Sequence, residues 1–253
     1  MVAGAFTGFF VGLTGVGGGA LMTPILVLLF GVSPLTAVGT DLWFAAITKT
    51  FGIVAYEKKG HVDWQVVKRL WLGSLPVAAV ITFLIVTGQA LQKSVSLNVA
   101  IGVVIMVTSV GLVFQPKLLS LARSHRIDHP QTFKFWQPFL TVLAGLILGV
   151  SVAMTSVGAG ALGSVMMLYL YPLRLTPHRL VATDIMHAIP LALLAGAGYL
   201  YFDAVDGDML LNLLLGSVPA ILLGSHLSQK ISGRLIQLIL ATMLFLGGLK
   251  LIH

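Results

Sequence analysis

Apolar stretches follow one another through nearly the whole of this chain, at residues 2–14, 19–30, 34–56, 64–87 and 94–114, then 134–154, 160–171, 176–200, 208–229 and 232–251. Runs of about 18 or more apolar residues with few charges mark membrane-spanning helices. Only 9% of the residues are charged, against roughly 25% in soluble domains. The expected fold is therefore an all-α, multi-pass membrane protein, with residues 1–253 forming one transmembrane domain and no room for a soluble second one. The first residues lack a basic leader, so the first apolar segment is expected to stay in the membrane. The formal charge of +7 comes from cations scattered over short connections, which argues against nucleic acid as a partner. Cysteine is absent, which excludes disulfides, thiolate metal sites and a thiol nucleophile.

The ten stretches divide into two sets of five, repeat one at 1–114 and repeat two at 134–253, joined by the basic connection 115–133. TGVGGGAL at 14–21 matches TSVGAGAL at 155–162 with an offset of 141. After a two-residue insertion the offset is 143, where SPLTAVGTD at 33–41 matches TPHRLVATD at 176–184 and LGSLP at 72–76 matches LGSVP at 215–219. A repeat with an odd number of crossings must enter the bilayer upside down the second time, giving the inverted-repeat plan of secondary transporters. Charge offers an independent reading, because cytoplasmic connections are rich in Lys and Arg. The connection Tyr56 to Arg69, with the first turns of the fourth segment, carries Lys58, Lys59, Lys68 and Arg69, whereas its partner carries Asp203, Asp206 and Asp208 and no positive charge. The first is expected inside and the second outside. Lys117, Arg123, Arg126, Lys134, Arg174, Arg179, Lys230 and Arg234 then fall inside, and both termini outside.

Three adjacent glycines, Gly17, Gly18 and Gly19, interrupt the second stretch. Each costs a helix about 1 kcal/mol relative to alanine, so they mark an unwound break. The segment that follows, Ala20 to Phe30, spans about 16 Å at 1.5 Å per residue, too short to cross the bilayer alone. Its first N–H groups and the positive end of its dipole would lie near mid-membrane and suit an anion. Open backbone at that depth requires a buried or wet cavity. Gly158 and Gly160 supply a second such end, preceded by the hydroxyls of Thr155 and Ser156, as Thr14 precedes the first. GAGALG also fits a dinucleotide-binding pattern, but that fingerprint needs a strand, a helix and an acid on a second strand, and here the acid lies in an apolar helix. Tight helix packing is the other reading of small residues, favoured for Gly4, Gly8 and Gly12.

Two helices are expected to start at Ser33-Pro34 and Thr176-Pro177, where a hydroxyl N-cap precedes proline. Asp41 and Asp184 then lie about 10 Å down their helices, inside the membrane. Acids at that depth face the bundle interior, either as proton carriers or as structural partners that cap the N–H groups freed by the glycine breaks. Lys49 and His187 have no counterparts in the other repeat. His187 is three residues from Asp184 and shares its helix face, and histidine changes charge near neutral pH. Lys49, eight residues beyond Asp41, is too far along the axis for a pair within one helix. Attraction of an anion, snorkelling and structural pairing stay open for both cations.

GVGGGALMTPIL, the duplicated S/T-P-x-x-x-V-x-T-D and the LGS-x-P repeat resemble the sulfite exporter TauE/SafE family over nearly the whole chain. That resemblance implies a bacterial inner-membrane protein that exports sulfite, a sulfonate or a related small sulfur-containing anion. The expected function is a secondary transporter with alternating access, in which Asp41 or Asp184, with His187, would carry any coupled proton or else anchor the broken helices. The anion would meet Thr14, Gly17, Gly18, Gly19, Thr155, Ser156, Gly158, Gly160, Lys49 and His187. No cofactor or metal is expected, and the partners are the anion and the lipid bilayer, with a homo-oligomer left open. An anion channel built from the same pocket is the alternative. An intramembrane enzyme lacks any H-E-x-x-H spacing or nucleophile motif, and an assembly factor leaves the charges at depth without a purpose.

Overall fold

The computed structural model describes residues 4–6, 8–9, 22–57, 61–87, 99, 102–111, 113–114, 117, 120, 130–158, 160–228 and 233–252. Among these residues every regular element is helical. They are α1 (Met22–Phe30), α2 (Pro34–Glu57), α3 (Trp64–Val86), α4 (Gly102–Gly111), α5 (Pro130–Thr155), α6 (Ala161–Leu170), α7 (Pro177–Tyr201), α8 (Gly207–Ser228) and α9 (Gly233–Ile252). Among the described residues three helical stretches are long and apolar enough to cross a membrane: Trp64–Ile85, Lys134–Thr155 and His178–Tyr201. At 1.5 Å per residue, 22 residues reach about 33 Å, which matches a bilayer core of roughly 30 Å. Helix α2 is 24 residues long but carries Asp41 and Lys49 in its interior.

Local chemistry sets the helix starts. Asp63 precedes α3 and its carboxylate accepts the Val66 N–H at 3.4 Å. Asp206 precedes α8 and does the same for Met209 at 2.8 Å. Ser33 accepts the Thr36 N–H at 3.2 Å before α2, and Pro177 opens α7 with Thr176 at the cap position. Such caps satisfy amides that have no partner within the helix.

The centre of the bundle is the crossing of α2 and α7, flanked by α3 and α5. Val38, Leu42 and Ala46 of α2 meet Ala188, Leu191, Ala192 and Ala195 of α7, with Ala78 of α3 and Val152 and Ala153 of α5 beside them. Small residues let membrane helices approach closely, and the contact energy there is dispersion and hydrogen bonding rather than a hydrophobic effect. Trp43 of α2 donates its indole N–H to the Gly196 carbonyl of α7 at 2.9 Å. Tyr199 of α7 donates to the Ala153 carbonyl of α5 at 2.8 Å.

The sequence offsets relate several contacts to one another. A Cβ placed on Gly145 or Gly149 of α5 would collide with the backbone of Leu70 or Ser74 of α3. A Cβ on Gly4 or Gly8 would collide with Leu213 or Ser217 of α8. Gly4 and Gly8 precede Gly145 and Gly149 by 141, while Leu70 and Ser74 precede Leu213 and Ser217 by 143. Each of these contacts therefore joins one half of the chain to the other.

Candidate functional site

The bundle centre holds a set of buried polar side chains, which is unusual in a membrane core and points to function. Asp41 on α2 is fully buried, and its Oδ2 accepts two hydrogen bonds from Thr23, 3.2 Å from the backbone N–H and 2.7 Å from the hydroxyl. Thr23 lies in the first turn of α1, so the carboxylate stands at that helix's N-terminal end. Asp184 on α7 holds the corresponding place at α6, where its Oδ1 accepts the Gly160 N–H at 3.2 Å. In both places a carboxylate meets the positive end of a short helix dipole.

The break before α6 depends on left-handed backbone. Helix α5 ends at Thr155, and Ser156, Gly158 and Gly160 have φ of 56°, 133° and 116°. The two glycine values lie where side chains are rarely tolerated, so glycine is required there. Thr155, expected to donate to a ligand, instead donates to the Ser151 carbonyl at 2.7 Å and accepts the Val157 N–H at 3.0 Å. Its hydroxyl stabilises the turn. Thr14, Gly17, Gly18 and Gly19 lie outside the described residues.

Lys49 does not snorkel outward. It is buried, with its ammonium 3.9 Å from Asp184 Oδ2 on the crossing helix. It also lies within electrostatic reach of Asp41 and His187. His187 is fully buried, and its Nε2 shares a hydrogen bond with Ser74 Oγ of α3 at 3.0 Å rather than bonding to Asp184. The Trp71 indole of α3 donates to the His187 carbonyl at 3.1 Å, holding that turn of α7 in place. Six buried polar side-chain atoms have no hydrogen-bond partner among the described residues, and three of them lie on these residues at the centre: Asp41 Oδ1, Ser156 Oγ and His187 Nδ1. Buried polar atoms ordinarily find partners, and those that do not often wait on a ligand or water.

With both acids ionised, one ammonium faces two carboxylates, which leaves a single excess negative charge. An incoming anion would add to that excess unless an acid takes up a proton. The arrangement thus has the parts to bind an anion at Lys49 and to link its binding to a proton.

A second polar cluster was not singled out by the sequence reading. Asp63 is buried and accepts a two-pronged contact from Arg174, 2.6 Å from Nε and 2.8 Å from Nη2. Arg179 adds a third contact at 3.4 Å. Arg69 donates to the Tyr171 hydroxyl at 3.3 Å, and the His61 and His178 rings lie 6.0 Å apart. The available signal was the recurrence of an acid before a helix at Asp63 and Asp206, separated by the repeat offset.

Comparison with known proteins agrees with the membrane reading. The family described as Sulfite exporter TauE/SafE matches residues 1–251. The probable membrane transporter protein YjnA of Bacillus subtilis is 38% identical over 256 residues, covering 100% of this chain and 98% of that protein. YdhB of the same organism, also a probable membrane transporter protein, is 24% identical over 94% of this chain and 91% of its own length. A probable membrane transporter protein of Methanocaldococcus jannaschii is 25% identical over 98% and 92%. No solved structure matches the chain significantly.

Proposed function

The chain belongs to the sulfite exporter TauE/SafE family, and on that premise we propose that it is a secondary transporter exporting a small sulfur-containing oxoanion, sulfite or an organosulfonate, by alternating access. The observation that carries this reading is a buried ammonium, Lys49, beside Asp184 and within reach of Asp41, where helices of both halves cross. The matched contacts exchanged between the halves support two structurally related repeats; the family suggests the bacterial inner membrane, and the positive-inside tendency turns the Arg-rich end to the cytoplasm.

In the empty carrier the two carboxylates occupy the N-terminal ends of α1 and α6, the places that suit an anion. The oxoanion exchanges with one of them, with Lys49, Ser156 and His187 at hand as donors, and the displaced acid takes a proton. Asp41 is the acid for this step, since Asp184 is the closer partner of Lys49. Gly158 and Gly160 hold the open backbone of the pocket, and Thr155 fixes its turn. The inside-negative membrane potential favours anion exit by about 2.3 kcal/mol per charge per 100 mV. A proton travelling with the anion cancels one charge of that drive.

Uptake of labelled sulfite into proteoliposomes, with and without an imposed pH gradient, tests both parts. Flux above empty liposomes, altered by the gradient, is the expected result. Absence of flux removes sulfite as the substrate, and flux without trans-stimulated exchange favours a channel.

A further inference from the structure

The ends of α2 and α7 are held by a matched pair of latches. At one end the Asp63 N–H donates to Thr183 Oγ1 of α7 at 3.0 Å. At the other the Asp206 N–H donates to Thr40 Oγ1 of α2 at 3.2 Å. Asp63 and Asp206 are 143 apart, as are Thr40 and Thr183. Both latches sit beside the polar centre, because Thr40 precedes Asp41 and Thr183 precedes Asp184. Around the Asp63 latch, Ile53, Val62, Val67, Ala182 and Ile185 form an apolar plug.

The two latches differ in charge. Arg174 and Arg179 clamp the Asp63 carboxylate, whereas among the described residues Asp206 forms no ion pair. Gly31 and Thr36 stand at the positions 143 before those arginines. The clamp is two-pronged with a buried acceptor, the geometry in which an arginine–carboxylate pair is strongest. Its arginines are 41% and 38% exposed, which weakens it through solvent screening.

We propose that Asp63, Arg174 and Arg179 form an ionic gate that keeps the Arg-rich, cytoplasm-facing end shut and makes it the harder of the two ends to open. The inference rests on the alternating-access reading. Opening that end separates residues 61–63 from α7, which requires the carboxylate to leave both guanidinium groups. At the other end the described residues have one latch hydrogen bond to lose and no ion pair at Asp206.

The chain contains no cysteine, so Ser74→Cys introduces a single reporter thiol at the buried partner of His187. Its labelling by a membrane-impermeant maleimide is followed in inside-out and right-side-out vesicles. In that background Asp63→Asn keeps the helix cap and the Thr183 contact but removes the charge. We expect Asp63→Asn and the double variant Arg174→Gln, Arg179→Gln each to raise labelling from the cytoplasmic side roughly fivefold. Asp206→Asn should leave that rate unchanged. Unchanged cytoplasmic labelling in both gate variants, in protein that still melts normally in detergent, overturns the gate. An equal rise from both sides shows general loosening and also overturns it. Labelling of the Ser74→Cys parent at equal rates from both sides overturns the gate but leaves alternating access standing, since a carrier open to each side for equal times labels that way. Sulfite flux without trans-stimulated exchange strikes the alternating-access reading itself.

Discussion

Asp41 and Asp184 hold the same repeat position and the same relation to a short helix, yet their surroundings differ. Asp184 faces a buried ammonium and one backbone N–H, with Oδ1 on Gly160 and Oδ2 toward Lys49. Asp41 accepts the two Thr23 bonds, both on Oδ2, and among the described residues its Oδ1 makes no further well-formed hydrogen bond, with the Ser156 hydroxyl beside it and Lys49 farther off. The comparison teaches that two acids at matching positions of the sequence are made unequal by what faces them. Lys49 is the cause, since Ala192 stands at the matching position.

The largest effect should follow from Asp184→Asn, which leaves Lys49 buried without its closer carboxylate. Removing one partner of a buried pair costs about 3–5 kcal/mol, so the variant should melt far below the parent in detergent. Adding Lys49→Met should restore much of that loss without restoring transport. A parent-like melting temperature for Asp184→Asn alone would show that the pair does not hold α2 to α7. Next in size is Gly160→Ala, where a φ of 116° forces a side chain into strained backbone at about 1–3 kcal/mol. It should lower both stability and flux, and unchanged flux would detach the α6 end from the site. Thr23→Val removes one hydrogen bond to a buried carboxylate and should cost about 1–3 kcal/mol. Asp41→Asn should be the mildest for stability, because an amide oxygen can still accept from Thr23. Its expected signature is flux that no longer responds to a pH gradient. A gradient response equal to the parent's would instead assign the proton to another group.

The starts of α2 and α7 were legible because a hydroxyl residue and proline before an apolar run, at Ser33-Pro34 and Thr176-Pro177, are local signals. The depth of both acids was legible too, since it follows from counting residues along one helix. What counting could not reach was the partner across a helix crossing. Lys49 was too far from Asp41 along α2, and its closer partner sits on α7, which no spacing within α2 reveals. His187 shares a face with Asp184 by period, but α3 brings Ser74 to its ring and Trp71 to its carbonyl. Asp63 was hidden for the opposite reason: an acid in a basic connection looks like an ordinary solvated charge, and only folding buries it between two arginines.

The glycine contacts bear on ancestry. Gly145 and Gly149 lie against Leu70 and Ser74, and Gly4 and Gly8 against Leu213 and Ser217, so neither half keeps these partners to itself. A half-length chain bearing such a glycine pair and such a Leu–Ser pair could make every one of these contacts with a second copy of itself. Joining two such halves in one chain leaves that interface unaltered. It also lets the halves differ, the condition under which a lone lysine or a one-sided pair of arginines can exist.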